Sequence, residues 1–115
     1  VIYFKMMENK MKLVSKYKNY MNEYYSELTK ELDKLAGIEE TSRWKHYIFT
    51  NDFCKKNNCL AIRVPGGTVG EIDYDENNVI TKISIDTNYV VKTYPNDVND
   101  LIKKFVGETI EISEV

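Results

Sequence analysis

The chain has 115 residues, 43% hydrophobic and 30% charged, which suits one domain with a small core. A formal net charge of −2 argues against a protein that grips duplex DNA by its phosphates. Two cysteines are too few for a disulfide scaffold, and no apolar run approaches a membrane-crossing helix, so the cytoplasm is the expected compartment.

In chain order, VIYFK (1–5) reads as a poorly specified apolar leader without the cleavage site of a signal peptide. Residues 8–36 contain neither proline nor glycine. Their apolar positions, Val14, Tyr17, Met21, Tyr24, Tyr25, Leu28, Leu32 and Leu35, fall in steps of three and four and predict one long helix. Gly37 is placed to end it. Such a helix would be about 40 Å long, more than a chain of this size covers by itself. Lys10, Lys12, Lys16 and Lys18 crowd its first half, and Glu23, Glu27, Glu31 and Asp33 its second. An antiparallel second copy would match those halves, so a homodimer or a multiple of dimers through this helix is expected.

After Gly37 the pattern changes. RWKHYIFT (43–50) alternates Trp44, His46 and Ile48 with Lys45, Tyr47 and Phe49, as a strand does. FCKKNN is a helical turn or a loop, and CLAIRV (59–64) is a second strand. Pro65-Gly66-Gly67-Thr68 is the strongest turn signal. VGEIDYD and VITKISID form a hairpin around 76–78, and YVVKTY reads as a further strand after the break at Thr87-Asn88. Pro95-Asn96-Asp97 opens a short helix, with Asn96 or Asp97 as N-cap and Val98, Leu101, Ile102, Phe105 and Val106 as its buried face. Gly107 stops it, and ETIEI closes the chain with Ile110 and Ile112 on one side. The expected fold class is α+β: a long N-terminal helix, an antiparallel β-sheet meander, a short C-terminal helix and a closing strand. It forms a single domain, 1–115, made of the helix (8–36) and a β-rich core (43–115).

Little here carries chemistry alone. Cys54, Cys59 and the single His46 lack the second ligand pair of structural zinc. No nucleophile elbow surrounds either cysteine. Asp73, Asp75, Glu76 and Asp86 flank one hairpin, where charges ordinarily solvate an edge. A non-enzymatic protein without cofactor or metal is expected. A binding site is easier to motivate. Arg63, one of two arginines, precedes the Gly66-Gly67-Thr68 turn, where a bidentate guanidinium and bare backbone N–H groups would meet a phosphate. Tyr89 and Tyr94 offer rings for a base, and Asn96 and Lys104 offer polar contacts from the short helix.

The segments CLAIRVPGGTVGEIDYDENNVITKISIDTNYVVKTY and VNDLIKKFVGETIEI, behind one long helix, resemble in plan the phage-encoded anti-Thoeris sponge proteins. The resemblance is one of architecture and size and carries over no family residues. It implies an oligomer that sequesters cyclic ADP-ribose isomers, and in some members cyclic oligonucleotides, inside the bacterial host. The rival reading is a small phage or mobile-element inhibitor, anti-CRISPR-like, that occupies a host protein. An aromatic and arginine pocket would mark the first, and an exposed acidic or apolar face the second.

Overall fold

The computed structural model describes residues 9–17, 20–95 and 97–113. The leader at 1–5 lies outside them. The first element, β1 (Lys10–Tyr17), alternates as a half-buried strand must: Met11 and Leu13 are fully buried, while Lys12 and Val14 face outward. β2 (Tyr20–Tyr25) runs back along it, with Val14 opposite Tyr25. The long helix expected over 8–36 is therefore absent. Only its final part is helical, α1 (Glu27–Leu35). The steps of three and four coexist with a Lys-Met-Lys-Leu alternation, and neighbouring strands on both sides decide in favour of the alternation. The surplus apolar length that motivated a dimer disappears with the helix.

Local chemistry sets both ends of α1. Ser26 Oγ accepts from the Thr29 N–H, and Thr29 Oγ1 accepts from the Ser26 N–H, a reciprocal capping box. At the other end Ile38 N–H reaches Asp33 O at 2.9 Å and Gly37 N–H reaches Lys34 O at 3.1 Å. Gly37 supplies the left-handed φ of +69° that this Schellman closure needs. Leu28 and Leu32 of α1 are fully buried.

The chain continues through β3 (Tyr47–Phe49), α2 (Asp52–Lys56), β4 (Cys59–Val64), β5 (Gly67–Tyr74) and β6 (Ile80–Ile85). Then come α3 (Thr87–Thr93), α4 (Asn99–Phe105) and β7 (Thr109–Ser113). The seven strands lie in the order β6-β5-β4-β3-β2-β1-β7. All neighbours are antiparallel except β1 and β7, which run parallel. The meander is thus corrected to a mixed sheet, because α3 and α4 carry the chain from one edge back to the other. YVVKTY is the second correction. Asp86 caps it by accepting from the Tyr89 N–H at 3.0 Å, which starts α3 where a strand was expected. α4 begins at Asn99, whose N–H is held by Asp97 at 2.8 Å, with Val98 as the cap residue. Asn96, the other expected cap, lies outside the described residues.

The sheet curls into a half-barrel whose edges touch at one corner. There Val79 bridges Thr109, Gly107 N–H reaches Ile80 O at 2.8 Å, and Ile110 N–H reaches Asn78 O at 2.8 Å. Ile48, Ile62 and Ile72 line the inner face with no exposure, and Leu101 and Phe105 of α4 join the same cluster. Each such burial contributes about 1.5–3 kcal/mol. Gly70 lets two strands approach there, since a Cβ would stand 2.5 Å from Ser84 O. Among the described residues no helix is long and apolar enough to cross a membrane.

Candidate ligand-binding site

Asp33, on the last turn of α1, faces inward with 6% exposure. Its Oδ1 accepts from the His46 backbone N–H at 2.8 Å and contacts His46 Nδ1 at 2.7 Å. A carboxylate only accepts, so Nδ1 carries a proton, and in the neutral ring Nε2 is then the acceptor. Nε2 faces the Tyr94 hydroxyl at 2.6 Å and the Tyr89 hydroxyl at 3.0 Å. A neutral imidazole has one lone pair there, and the shorter contact takes it. Burial pushes both phenols above the ordinary tyrosine range, Tyr94 furthest. The imidazole stacks on Tyr94 with ring centroids 5.9 Å apart, and Tyr89 meets Tyr94 edge-on at 5.5 Å. His46 has no exposure, so nothing in solvent reaches its ring. The network ties α1, the entry to β3, and α3 into one unit.

Asp33 also forms the back wall of a recess of about 490 Å³ between α1, the 38–45 loop and the end of β2. Tyr25 and Ile38 give it an apolar surface, and Lys30, Lys34 and Lys45 converge on it against Glu40. Lys45 Nζ stands 4.8 Å from the Tyr25 ring centroid. A second recess, about 360 Å³, shares Tyr25 and Lys30 and extends to Lys10 and Lys12. The result is a groove with five lysines around one tyrosine. Lys34 is 3.4 Å from Glu31 with its side chain 71% exposed, and such a surface pair yields easily to a ligand anion. Lys16 Nζ, 5.9 Å from the same Tyr25 ring, lies 4.1 Å from the Tyr47 ring and 3.6 Å from Glu23.

The residues singled out in the sequence are not brought to one place. Arg63 leaves on the outer face, paired in register with Tyr47, and its guanidinium lies 5.0 Å from the Phe49 ring with Nε buried and without a hydrogen-bond partner among the described residues. That direction leads away from the turn it precedes. Gly66 forms that turn, Gly67 is already a ladder residue opposite Val64, and Thr68 is exposed opposite Arg63. Tyr89 points to the core side, into the His46 network. Lys104 is exposed on α4, near enough to Glu108 to interact with it. Asn96 lies outside the described residues.

Of the acids near the hairpin, Asp75 caps the turn by accepting from the Asn77 and Val79 N–H groups, and Asp86 caps α3. Cys54 and Cys59 are free thiols, and burial, then the neighbouring Cys54, pushes the Cys59 thiol up. Among the described residues no three His, Cys, Asp or Glu side chains gather as a metal would need. The lysine groove escaped the sequence reading because its members come from four separate segments. The one signal was Lys30 and Lys34 on the same helical face, i and i+4.

The fold is an α+β half-barrel with a basic, aromatic groove on its side. Comparison with protein-family models, curated proteins and solved structures finds no match.

Proposed function

We propose that the protein binds a small phosphate-bearing molecule of the cyclic nucleotide type and sequesters it without turnover, as a phage protein countering a signal in the bacterial cytoplasm would. The observation that carries this reading is the recess of about 490 Å³ lined by Lys30, Lys34 and Lys45 beside Tyr25, with Lys45 Nζ 4.8 Å from the Tyr25 ring centroid. Ammonium groups suit phosphate oxygens, Tyr25 and Ile38 suit a base or ribose, and Glu40 suits an exocyclic amine or hydroxyl. The continuation towards Lys10 and Lys12 gives room for a second phosphate. Rigid walls favour capture, since α1 is locked at both ends and pinned through Asp33.

Calorimetry with cyclic ADP-ribose isomers and cyclic di- and trinucleotides tests it, with the single Trp44, 60% exposed beside Lys45, as a fluorescent reporter. One ligand is expected to bind below about 10 µM. Lys34→Ala with Lys45→Ala is expected to weaken it about ten- to a hundredfold, and added salt to weaken it further. Binding lost in Arg63→Ala but kept in the lysine variant would move the site to the turn. If no cyclic nucleotide binds, the reading fails, and the exposed Trp44 favours the protein-inhibitor alternative.

A further inference from the structure

Asp33 stands at the back of the lysine groove, and its two carboxylate oxygens are used differently. Oδ1 is engaged twice, by the His46 backbone N–H and by Nδ1. Oδ2 has no hydrogen bond to any described residue. Nor is it sealed in. Among the described residues, the buried side-chain oxygens and nitrogens without a partner are Thr50 Oγ1 and Arg63 Nε. Asp33 keeps 6% of its surface and lines the recess of about 490 Å³. A free acceptor therefore opens into that recess, held in place by the two bonds its neighbouring oxygen makes.

The groups around it leave that acceptor to a ligand. Lys30 and Lys34, on the same helix, turn to Glu27 at 4.0 Å and Glu31 at 3.4 Å, and Lys45 turns to the Tyr25 ring. Thr29, also in the lining, commits its hydroxyl to Ser26, donating to the carbonyl at 2.8 Å and accepting from the N–H at 2.9 Å. A carboxylate oxygen repels phosphate and accepts from N–H or O–H donors. The recess is thus matched to phosphate beside its lysines and to a hydrogen-bond donor at its back. In a nucleotide with its base on Tyr25 and its phosphate at the lysines, the group between them is the ribose. Its hydroxyls are the donors. Carboxylates accept from ribose hydroxyls in the same way in dinucleotide sites.

Resting on the nucleotide reading of the groove, we propose that Asp33 is its specificity-determining residue and selects ribonucleotides, Oδ2 accepting a hydrogen bond from the ligand's ribose 2′-hydroxyl. A 2′-deoxyribose leaves the carboxylate desolvated and without a donor, which lowers affinity. A 2′-fluoro group is matched no better, because it sets a weak acceptor against an acceptor. The bonds behind Asp33 sharpen the choice, since the carboxylate would have to break both of them to swing aside.

The test is calorimetric titration of the full chain with cyclic ADP-ribose, cyclic di-AMP and cyclic di-GMP, each beside its 2′-deoxy and 2′-fluoro counterparts. For whichever parent binds, the ribose form is expected to bind about ten- to a hundredfold tighter than the 2′-deoxy form. The 2′-fluoro form should bind no tighter than the 2′-deoxy form. Asp33→Asn keeps an oxygen for the two His46 N–H groups and puts an N–H donor where Oδ2 was. It should lower the ribose-over-deoxy ratio to about threefold or less, and raise the 2′-fluoro form to at least the level of the 2′-deoxy form. An Asp33 with a structural role alone would weaken all three forms together and leave the ratio unchanged, and that result overturns the proposal. A ratio near one in the parent chain also overturns it, while leaving the groove as a nucleotide site, and that measurement needs no variant to fold. If no ribonucleotide binds, the reading of the groove falls and this assignment falls with it.

Discussion

Asp33 belongs to two neighbourhoods that handle polar groups in opposite ways. Towards the core, its carboxylate, His46 and Tyr94 are enclosed, and every proton on the path has a partner. Towards solvent, Lys12, Lys30 and Lys34 of the groove stand exposed, and the pair that Lys34 makes with the half-buried Glu31 is a weak one. The enclosed side converts hydrogen bonds into rigidity, because losing one leaves a buried group unsatisfied. The open side keeps its charges available. A binding protein gains from having both, with the first holding the wall against which the second works.

The largest expected effect is on the enclosed side. Asp33→Ala leaves the His46 N–H and Nδ1 without an acceptor and should destabilise the fold by about 3 kcal/mol in urea unfolding. A change under about 0.5 kcal/mol would mean that the network contributes little and that the two sides do not differ.

An intermediate effect concerns alkaline pH. The Tyr94 phenol is raised by burial, so the folded chain keeps its proton while the unfolded chain releases it above about 10. Above that pH the unfolded state binds fewer protons, and stability should fall by up to about 1.4 kcal/mol per pH unit from this group. Tyr94→Phe should remove that slope, at the cost of about 1–2 kcal/mol at neutral pH for the lost bond to Nε2. An unchanged slope in denaturation from pH 9 to 11 would show that Tyr94 ionises while folded.

The smallest effect belongs to the open side. Lys34→Ala and Lys45→Ala should each change stability by no more than about 0.5 kcal/mol in the same urea experiment. A larger loss would give the lysines a structural role and blur the contrast.

Much of the second half of the fold is legible in the sequence. β4 matches CLAIRV residue for residue, and the hairpin of β5 and β6 and the last helix and strand follow their turn signals. The first half is not, because KMKLVSKY satisfies both periodicities and only pairing with β2 and β7 separates them. The start of α1 was written in Ser26 and Thr29, whose mutual capping marks where the helix begins. The site was less legible still. His46 alternates as a strand residue in the sequence, but its partners Asp33, Tyr89 and Tyr94 are separated from it by 13 to 48 positions. Arg63 stood out by rarity, and rarity does not say which way a side chain turns.

The pairing of β1 with β7 has a consequence for how the chain is made. Lys10 and Glu111 meet across a separation of 101 positions, so one side of β1 stays unpaired until β7, about a hundred residues later in the chain, is in place. Closing so large a loop carries an entropy penalty before its contacts form, and topologies of this kind fold slowly. Until then the unpaired edge of β1 is open to mispairing or chaperone capture.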